Sequence, residues 1–294
     1  MKSAKLFVFT LVVAIVALAA TTIGFAQEAT CETVVVLPEN ILAAPAPNTT
    51  PAPYPQGSFV KFTRGGGNAG LVVGPENPPL GVGSLNLNTP GTPPASDKVY
   101  LFNYDHRGTL LSSVDAISYS TYRYENSTAN PLQTTAINIE IDRNGGTLEP
   151  GDYAVLVFEP VYNVNQGPVV EGEWQDWDAY AGGQAIWWSS RAIPGVCAFD
   201  CFVTWDAIVA ANPNATIVGG FGVNQGGGND GLFAATDALK LGYGDDCVIY
   251  NFEPYRVATT RDACKNGGWQ SAKRADGTSF RNQGDCVSYV NNGK

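Results

Sequence analysis

Aromatic and acidic side chains crowd one short stretch of this chain, in a mixture suited to binding sugars. Trp174, Asp176, Trp177 and Asp178 fall within five residues, and Trp188 follows. Aromatic faces stack on the C–H faces of sugars and carboxylates accept hydrogen bonds from hydroxyls, so such sites pair an apolar platform with a few polar groups. We predict that these five residues bind ligand, although one of two neighbouring rings on a strand is expected to lie in the core.

Three further polar side chains share one face of a predicted strand. Asn138, Glu140 and Asp142 alternate with isoleucines in residues 136–142, and a period of two places the isoleucines on the core face. Some sandwich-fold glycoside hydrolases carry Glu-x-Asp on a strand and add a second Glu two or three residues later, because hydrolysis needs two carboxyl groups. Here an asparagine and a glycine stand in those places. A solvated polar face is the simpler interpretation, and ligand binding is the functional one.

The chain's single histidine restricts nucleophilic and metal chemistry. Asp105 precedes His106, but neighbours on a strand point to opposite faces, and no GxSxG motif is present. We therefore expect a structural histidine. One histidine excludes a multi-histidine metal site. Calcium suits the Asp, Asn and turn carbonyl oxygens of this chain, but without a DxDxDG loop no residues can be assigned to it, and no cofactor is predicted.

A signal peptide is the clearest targeting feature. Residues 1–26 contain Lys2 and Lys5, an apolar run, and small residues before Gln27, the layout of a cleaved leader. An uncleaved membrane anchor is the alternative. No later segment is apolar enough to span a bilayer, so we expect the mature protein to be secreted, outside the cell or at its surface.

Six cysteines follow the leader, an even number that indicates three disulfides in an oxidising compartment. Sequence alone permits fifteen pairings. Proximity favours one bond within the tail, one across a tight loop and one between the remaining two cysteines. These pairs are Cys264 with Cys286, Cys197 with Cys201, and Cys31 with Cys247. A zinc site is the alternative, disfavoured because no second cysteine pair or nearby histidine accompanies CxxxC.

The candidate ligand residues must be positioned by strands, because the sequence pattern is that of short β-strands separated by turns. Only 15% of its 294 residues are charged, while 33 are glycine and 19 proline, a bias towards turns. The pattern predicts one helix, over residues 205–212. Strands and helices do not alternate as they do in βαβ units. The pattern predicts an all-β antiparallel sandwich with one short helix and a small disulfide-closed tail. The strand-like runs are residues 58–64, 70–74, 84–89, 98–105, 115–124, 134–142, 153–162, 185–190 and 247–253.

Charge and composition divide the chain and exclude one class of partner. We predict a leader (1–26), an N-terminal strand with a Pro-rich linker (27–57), a sandwich domain (58–253) and a C-terminal tail (254–294). The net charge is −10, and without Lys2 and Lys5 of the leader it becomes 15 basic against 27 acidic residues, or −12. Such a charge repels DNA and RNA, so nucleic-acid binding is excluded as a main function.

A family resemblance covers most of residues 58–294. The stretches LVFEPVYN, EWQDWDAYAGGQAIWWSS and CVIYNFEP resemble a group of secreted bacterial proteins of unassigned function with a jelly-roll, concanavalin-like or carbohydrate-binding-module sandwich. The tail, CKNGGW to NQGDCVSYV, is similar to a disulfide-bearing C-terminal segment found on many secreted bacterial proteins. The resemblance implies a fold and an extracellular setting, and no reaction.

Three functions fit these observations. We favour a secreted, non-enzymatic binding module for a glycan or another cell-envelope polymer. The first alternative is a polysaccharide-acting glycoside hydrolase that pairs Glu140 or Asp142 with a distant carboxylate. The second is a structural cell-surface protein whose basic tail docks on an acidic partner.

Overall fold

The computed structural model of this chain describes residues 30–45, 53–91 and 96–293. The predicted leader lies outside the described residues, as does part of the Pro-rich linker. Among the residues that are described, no helix has the length and apolar character needed to cross a membrane.

Fifteen strands of the described chain form two sheets, which confirms the predicted all-β sandwich. Their bounds are β1 Glu32–Val36, β2 Ile41–Ala43, β3 Phe59–Arg64, β4 Asn68–Val73, β5 Gly83–Thr89, β6 Lys98–Asn103, β7 Val114–Arg123, β8 Ala136–Asp142, β9 Tyr153–Phe158, β10 Trp174–Asp178, β11 Ile186–Ser189, β12 Val203–Thr204, β13 Thr216–Gly226, β14 Leu232–Tyr243 and β15 Asp246–Phe252. The helices are α1 Trp205–Ala211, α2 Gly268–Ser271 and α3 Gln283–Asn292.

The two sheets differ in strand order. Sheet A follows the order β1-β15-β14-β5-β4, and β7 also pairs with β14 and carries β10 at its far side. Sheet B follows the order β12-β11-β9-β8-β13-β6-β3-β2. Most neighbours are antiparallel, as expected, but β1 pairs with β15 and β2 with β3 in parallel. Parallel neighbours need long connections, and the segments between these partners supply them.

The core lies between the inner faces of the sheets. Ile137, Ile139 and Ile141 of β8 are fully buried, as their alternation predicts, and Trp177 and Trp187 join the same cluster. Burial of each such side chain contributes about 1.5–3 kcal/mol. Helix α1 covers one end of this core, where its first residue, Trp205, contacts the ring of Trp187 at a centroid distance of 5.3 Å.

Three disulfides staple the described chain, in the pairs that proximity favoured. Cys31 joins Cys247 and so ties β1 to β15, while Cys197 and Cys201 close a five-residue loop. Cys264 joins Cys286 within the tail. The tail also has a small core of its own, separate from the sandwich core, in which Phe280 packs with both tail cysteines.

Two turns of the tail begin at side-chain caps. The Asn282 side chain accepts a hydrogen bond from the Asp285 N–H at the start of α3, and Thr260 does the same for the Ala263 N–H. Each cap satisfies a backbone donor that the first helical turn leaves unpaired. Arg274 then donates from Nη2 to both carboxylate oxygens of Asp285, which links the segment before α3 to its first turn.

Candidate functional site

Three aromatic rings stack on the outward face of sheet B. The centroids of Phe62 and Tyr100 are 4.8 Å apart with an interplanar angle of 13°, and those of Tyr100 and Phe102 are 4.4 Å apart. Alternation along β6 puts Tyr100 and Phe102 on this face, while Val99 and Leu101 enter the core. Tyr104 follows just after the strand, and its ring packs at a tilt against that of Tyr54, with a centroid distance of 5.1 Å. The result is an apolar platform two strands wide.

The Glu140 carboxylate is held on the same face by two hydrogen bonds. Its Oε1 accepts from the Tyr153 hydroxyl at 2.6 Å, and its Oε2 accepts from the Gly220 N–H at 2.6 Å. The second bond requires glycines in β13, because a Cβ at Gly219 would lie 2.1 Å from Glu140 Oε2. A Cβ at Gly220 would likewise lie 2.4 Å from the Phe102 side chain. The glycines of β13 thus let Glu140 and the ring stack approach each other.

The negative charge of Glu140 affects the pKa of three neighbouring tyrosines. Burial, and after it the negative charge of Glu140, raises the pKa of Tyr100, Tyr104 and Tyr153. All three phenols therefore keep their protons at any physiological pH and remain hydrogen-bond donors and acceptors. A carboxylate surrounded by neutral phenols suits a ligand rich in hydroxyl groups.

A row of small side chains connects this platform to Trp188 across five strands. Phe102 lies opposite Gly222, Gly222 opposite Asn138, Asn138 opposite Val157, and Val157 opposite Trp188. Residues directly opposite each other share a face, so the row spans four strand spacings, or about 19 Å. Two amide oxygens on this face, Asn138 Oδ1 and Asn224 Oδ1, have no hydrogen-bond partner.

Trp188 ends the row beside a second acidic group. Its Nε1 donates to Glu159 Oε2 at 2.8 Å, and its ring lies 5.9 Å from that of Phe199. Burial raises the pKa of Glu159, against the lowering effect of the Trp188 hydrogen bond. Phe199 sits at the tip of the Cys197–Cys201 loop with φ +62° and is 59% exposed. The disulfide thus presents an aromatic ring at the far end of the row.

Asp142 shares the strand but has a structural role. It is fully buried, and its Oδ1 accepts from the N–H groups of Asn144 and Gly145 at 3.0 and 3.2 Å. These bonds stabilise the turn that follows β8. Asn138 and Glu140 therefore remain in the candidate site, whereas Asp142 stabilises the adjoining turn.

The Trp174–Asp178 stretch lies in sheet A and so belongs to the other side of the sandwich. Trp177 is in the core and donates from Nε1 to Thr121 Oγ1 at 2.8 Å. Trp174 packs on Tyr122 and donates to the Pro75 carbonyl at 3.0 Å, which fastens the 74–83 segment over this sheet.

The two aspartates of this stretch are also engaged locally. Asp176 accepts from the Ser120 hydroxyl at 2.5 Å, and Asp178 Oδ1 accepts from two N–H groups of the following turn. Both also line a cavity of about 500 Å³ on sheet A, together with Tyr180 and Lys240. The predicted ligand residues therefore divide between two opposite surfaces and do not form one site.

His106 occupies a buried position between two tyrosines. Its Nε2 lies 2.9 Å from the Tyr250 hydroxyl and its Nδ1 lies 3.3 Å from that of Tyr243. Burial lowers its pKa to about 4, although Asp105 acts in the opposite direction. The ring is neutral at pH 7 and bridges two hydroxyls, as a structural histidine does. Asp105 instead accepts from the Gly57 N–H and the Asn103 amide.

The two carboxylates named in the glycosidase hypothesis both accept hydrogen bonds within the protein. Glycosidases need a second carboxyl group about 5–9.5 Å from the first. Asp142, the nearest candidate along the strand, is committed to its turn, and both oxygens of Glu140 accept hydrogen bonds. No cluster of three or more potential metal ligands from His, Cys, Asp and Glu occurs among the described residues.

The most informative residues of this face were not identified from the sequence. Tyr100, Phe102 and Tyr104 alternate in a single strand-like run, a period-two signal that could have indicated an aromatic face. Comparison with known protein families, with curated proteins and with solved structures gives no match for this chain. The resemblance described above therefore stays a prediction, and function must be argued from the face itself.

Proposed function

We propose that this protein is secreted and binds a polysaccharide chain across the strands of sheet B, without cleaving it. The observation that carries the proposal is the row from Phe102 to Trp188, with rings at both ends and Asn138 in the middle. Small side chains between larger aromatic ones suit the floor of a groove. Sugar rings would pack on Tyr100 and Trp188, the half-buried rings of this face, while the half-buried Glu140 would accept hydrogen bonds from hydroxyls.

The negative net charge of the protein favours an uncharged polysaccharide as the ligand. The mature chain carries −12, from 15 basic and 27 acidic residues, and Glu140 and Glu159 lie on the binding face itself. An anionic polymer would be repelled both at long range and at the face. Three disulfides suit an oxidising extracellular compartment, where such polymers occur.

Affinity electrophoresis of residues 27–294 in gels containing neutral glucans, mannans or xylans tests the proposal, with an anionic polygalacturonate as comparison. We expect retardation by at least one neutral polysaccharide. Tyr100→Ala and Trp188→Ala should each weaken it about fivefold or more, because one aromatic contact contributes about 1 kcal/mol beyond its buried area.

Tyr180→Ala is the matched control, since this aromatic residue lines the cavity on sheet A. Its retardation should equal that of the wild type. Loss of binding in Tyr180→Ala with full binding in Tyr100→Ala would move the site to sheet A. No retardation by any polysaccharide, with or without calcium, would refute glycan binding, and release of shorter sugars would favour the hydrolase.

A further inference from the structure

A cavity of about 440 Å³ lies where the C-terminal tail meets the edge of sheet A. The sheet contributes Val35 of β1 and Asn251 of β15, the 74–83 segment contributes Val82, and the tail contributes Arg256. This size is within the range of small-molecule sites. The cavity is remote from the Glu140 face, since it involves the other sheet, and it does not depend on the proposed polysaccharide binding.

Two hydrogen-bond acceptors without a partner are buried behind one wall of the cavity. Glu253 is 4% exposed; its Oε1 accepts from the Val82 N–H at 2.9 Å, but its Oε2 has no hydrogen-bond partner. Asn251 Oδ1 also has none. A buried carboxylate oxygen without a donor is costly. Burial raises the pKa of Glu253, against the lowering effect of hydrogen bonds from the Val82 N–H, the Asn251 side chain and the Gly83 N–H. A ligand with several N–H donors, above all an ammonium group, would satisfy both oxygens.

The remaining lining has complementary chemistry. Arg256 and Thr259, both exposed, belong to the tail. A guanidinium binds a carboxylate through two parallel hydrogen bonds. Val35, Val82 and Val257 supply apolar surface between the charged groups. The cavity thus offers an anionic group, a cationic group and an aliphatic surface within one small volume.

We propose that this cavity binds a free amino acid with a branched aliphatic side chain. The ammonium group binds Glu253 and Asn251, the carboxylate binds Arg256 and Thr259, and the side chain packs on the valines. Because the cavity is formed by both sheet and tail, the bound ligand also fastens the tail to the sandwich.

Isothermal titration of residues 27–294 with L-valine tests this proposal, with N-acetyl-L-valine and L-valine amide as analogues that lack the positive or the negative charge. We expect saturable binding of L-valine and a loss of about 10- to 100-fold for each analogue, the effect of one hydrogen bond to a charged group. Absence of saturable L-valine binding, or equal binding of all three compounds, would overturn the proposal.

Two variants locate the binding. Glu253→Gln keeps an oxygen that can accept from the Val82 N–H, and Arg256→Gln changes an exposed side chain, so a thermal transition should show both variants folded. Both should weaken L-valine binding about 10-fold or more, whereas the control Glu149→Gln, on an exposed loop, should not. Unchanged binding in both Glu253→Gln and Arg256→Gln would refute this site. Polysaccharide retardation should be the same in all three variants, so failure of either proposal can be recognised separately.

Discussion

Removal of the Cys31–Cys247 disulfide should destabilise the sandwich much more than removal of the disulfide in the tail. Cys31 and Cys247 are 216 residues apart, and the chain-entropy model gives about 5 kcal/mol for a loop of that length. Cys264 and Cys286 are 22 residues apart, which gives about 3 kcal/mol. That second contribution belongs to the tail, because Cys264 and Cys286 pack in a core cluster separate from that of the sandwich.

Urea unfolding followed by tryptophan fluorescence can separate the two effects. Trp177, Trp187 and Trp205 are buried in the sandwich core, so fluorescence reports mainly on that unit. The C31A/C247A variant should lose several kcal/mol in its free energy of unfolding, up to the entropic value of about 5. The matched C264A/C286A variant should keep the sandwich transition close to that of the wild type. An equal loss in both variants would show that tail and sandwich unfold as one unit and would refute this reasoning.

Four further variants test how burial controls stability. Burial lowers the pKa of His106 from 6.5 to about 4, so wild type should lose about 3 kcal/mol as pH falls through this range, and urea titrations of His106→Gln should lack that loss. Burial raises the pKa of Asp237 from 3.8 to about 7. The free energy of unfolding of the wild type should therefore fall by about 4 kcal/mol as pH rises from 4 to 7, because the buried carboxyl group must ionise. The same urea titrations of Asp237→Asn should show no such fall. Trp177→Ala should lower the free energy of unfolding by about 3–5 kcal/mol and Trp188→Ala by clearly less, as urea midpoints will show, because the ring of Trp177 is 1% exposed and that of Trp188 is half-buried.

Strand alternation was sufficient to predict the fold class and several elements. The three isoleucines of β8 define its core face without any knowledge of its neighbours. The cap at Asn282 is equally local, because one side chain satisfies one backbone donor of the same helix. Such features depend on residues close in sequence, so a single chain reveals them.

The long strands β13 and β14 are absent from the predicted strand-like runs. Like the candidate site, they depend on partners distant in sequence. The strand β13 contains Gly219, Gly220 and Gly222, which individually disfavour a strand, yet close approach of Glu140 and Phe102 requires them. Trp174 and Trp188 looked like parts of one cluster, but pairing of β10 with β7 and of β11 with β9 carries them to different sheets. The periodicity of a sequence predicts which side chains of a strand share a face, but it does not predict which sheet the strand joins.

The strand order of sheet A also sets a sequence of events for folding. β14 pairs with β5, β7 and β15, and β1 can pair only with β15. A chain that emerges from a ribosome or a translocation channel amino end first must therefore hold β1 without its partner, and the β4–β5 and β7–β10 pairs without the strand that joins them, until residues beyond 230 are released. Contacts of such long range make folding slow and leave strand edges exposed meanwhile. Sheet B has all of its strands once β13 is released at residue 226, so we expect this sheet to form first and to template the closing of the sandwich.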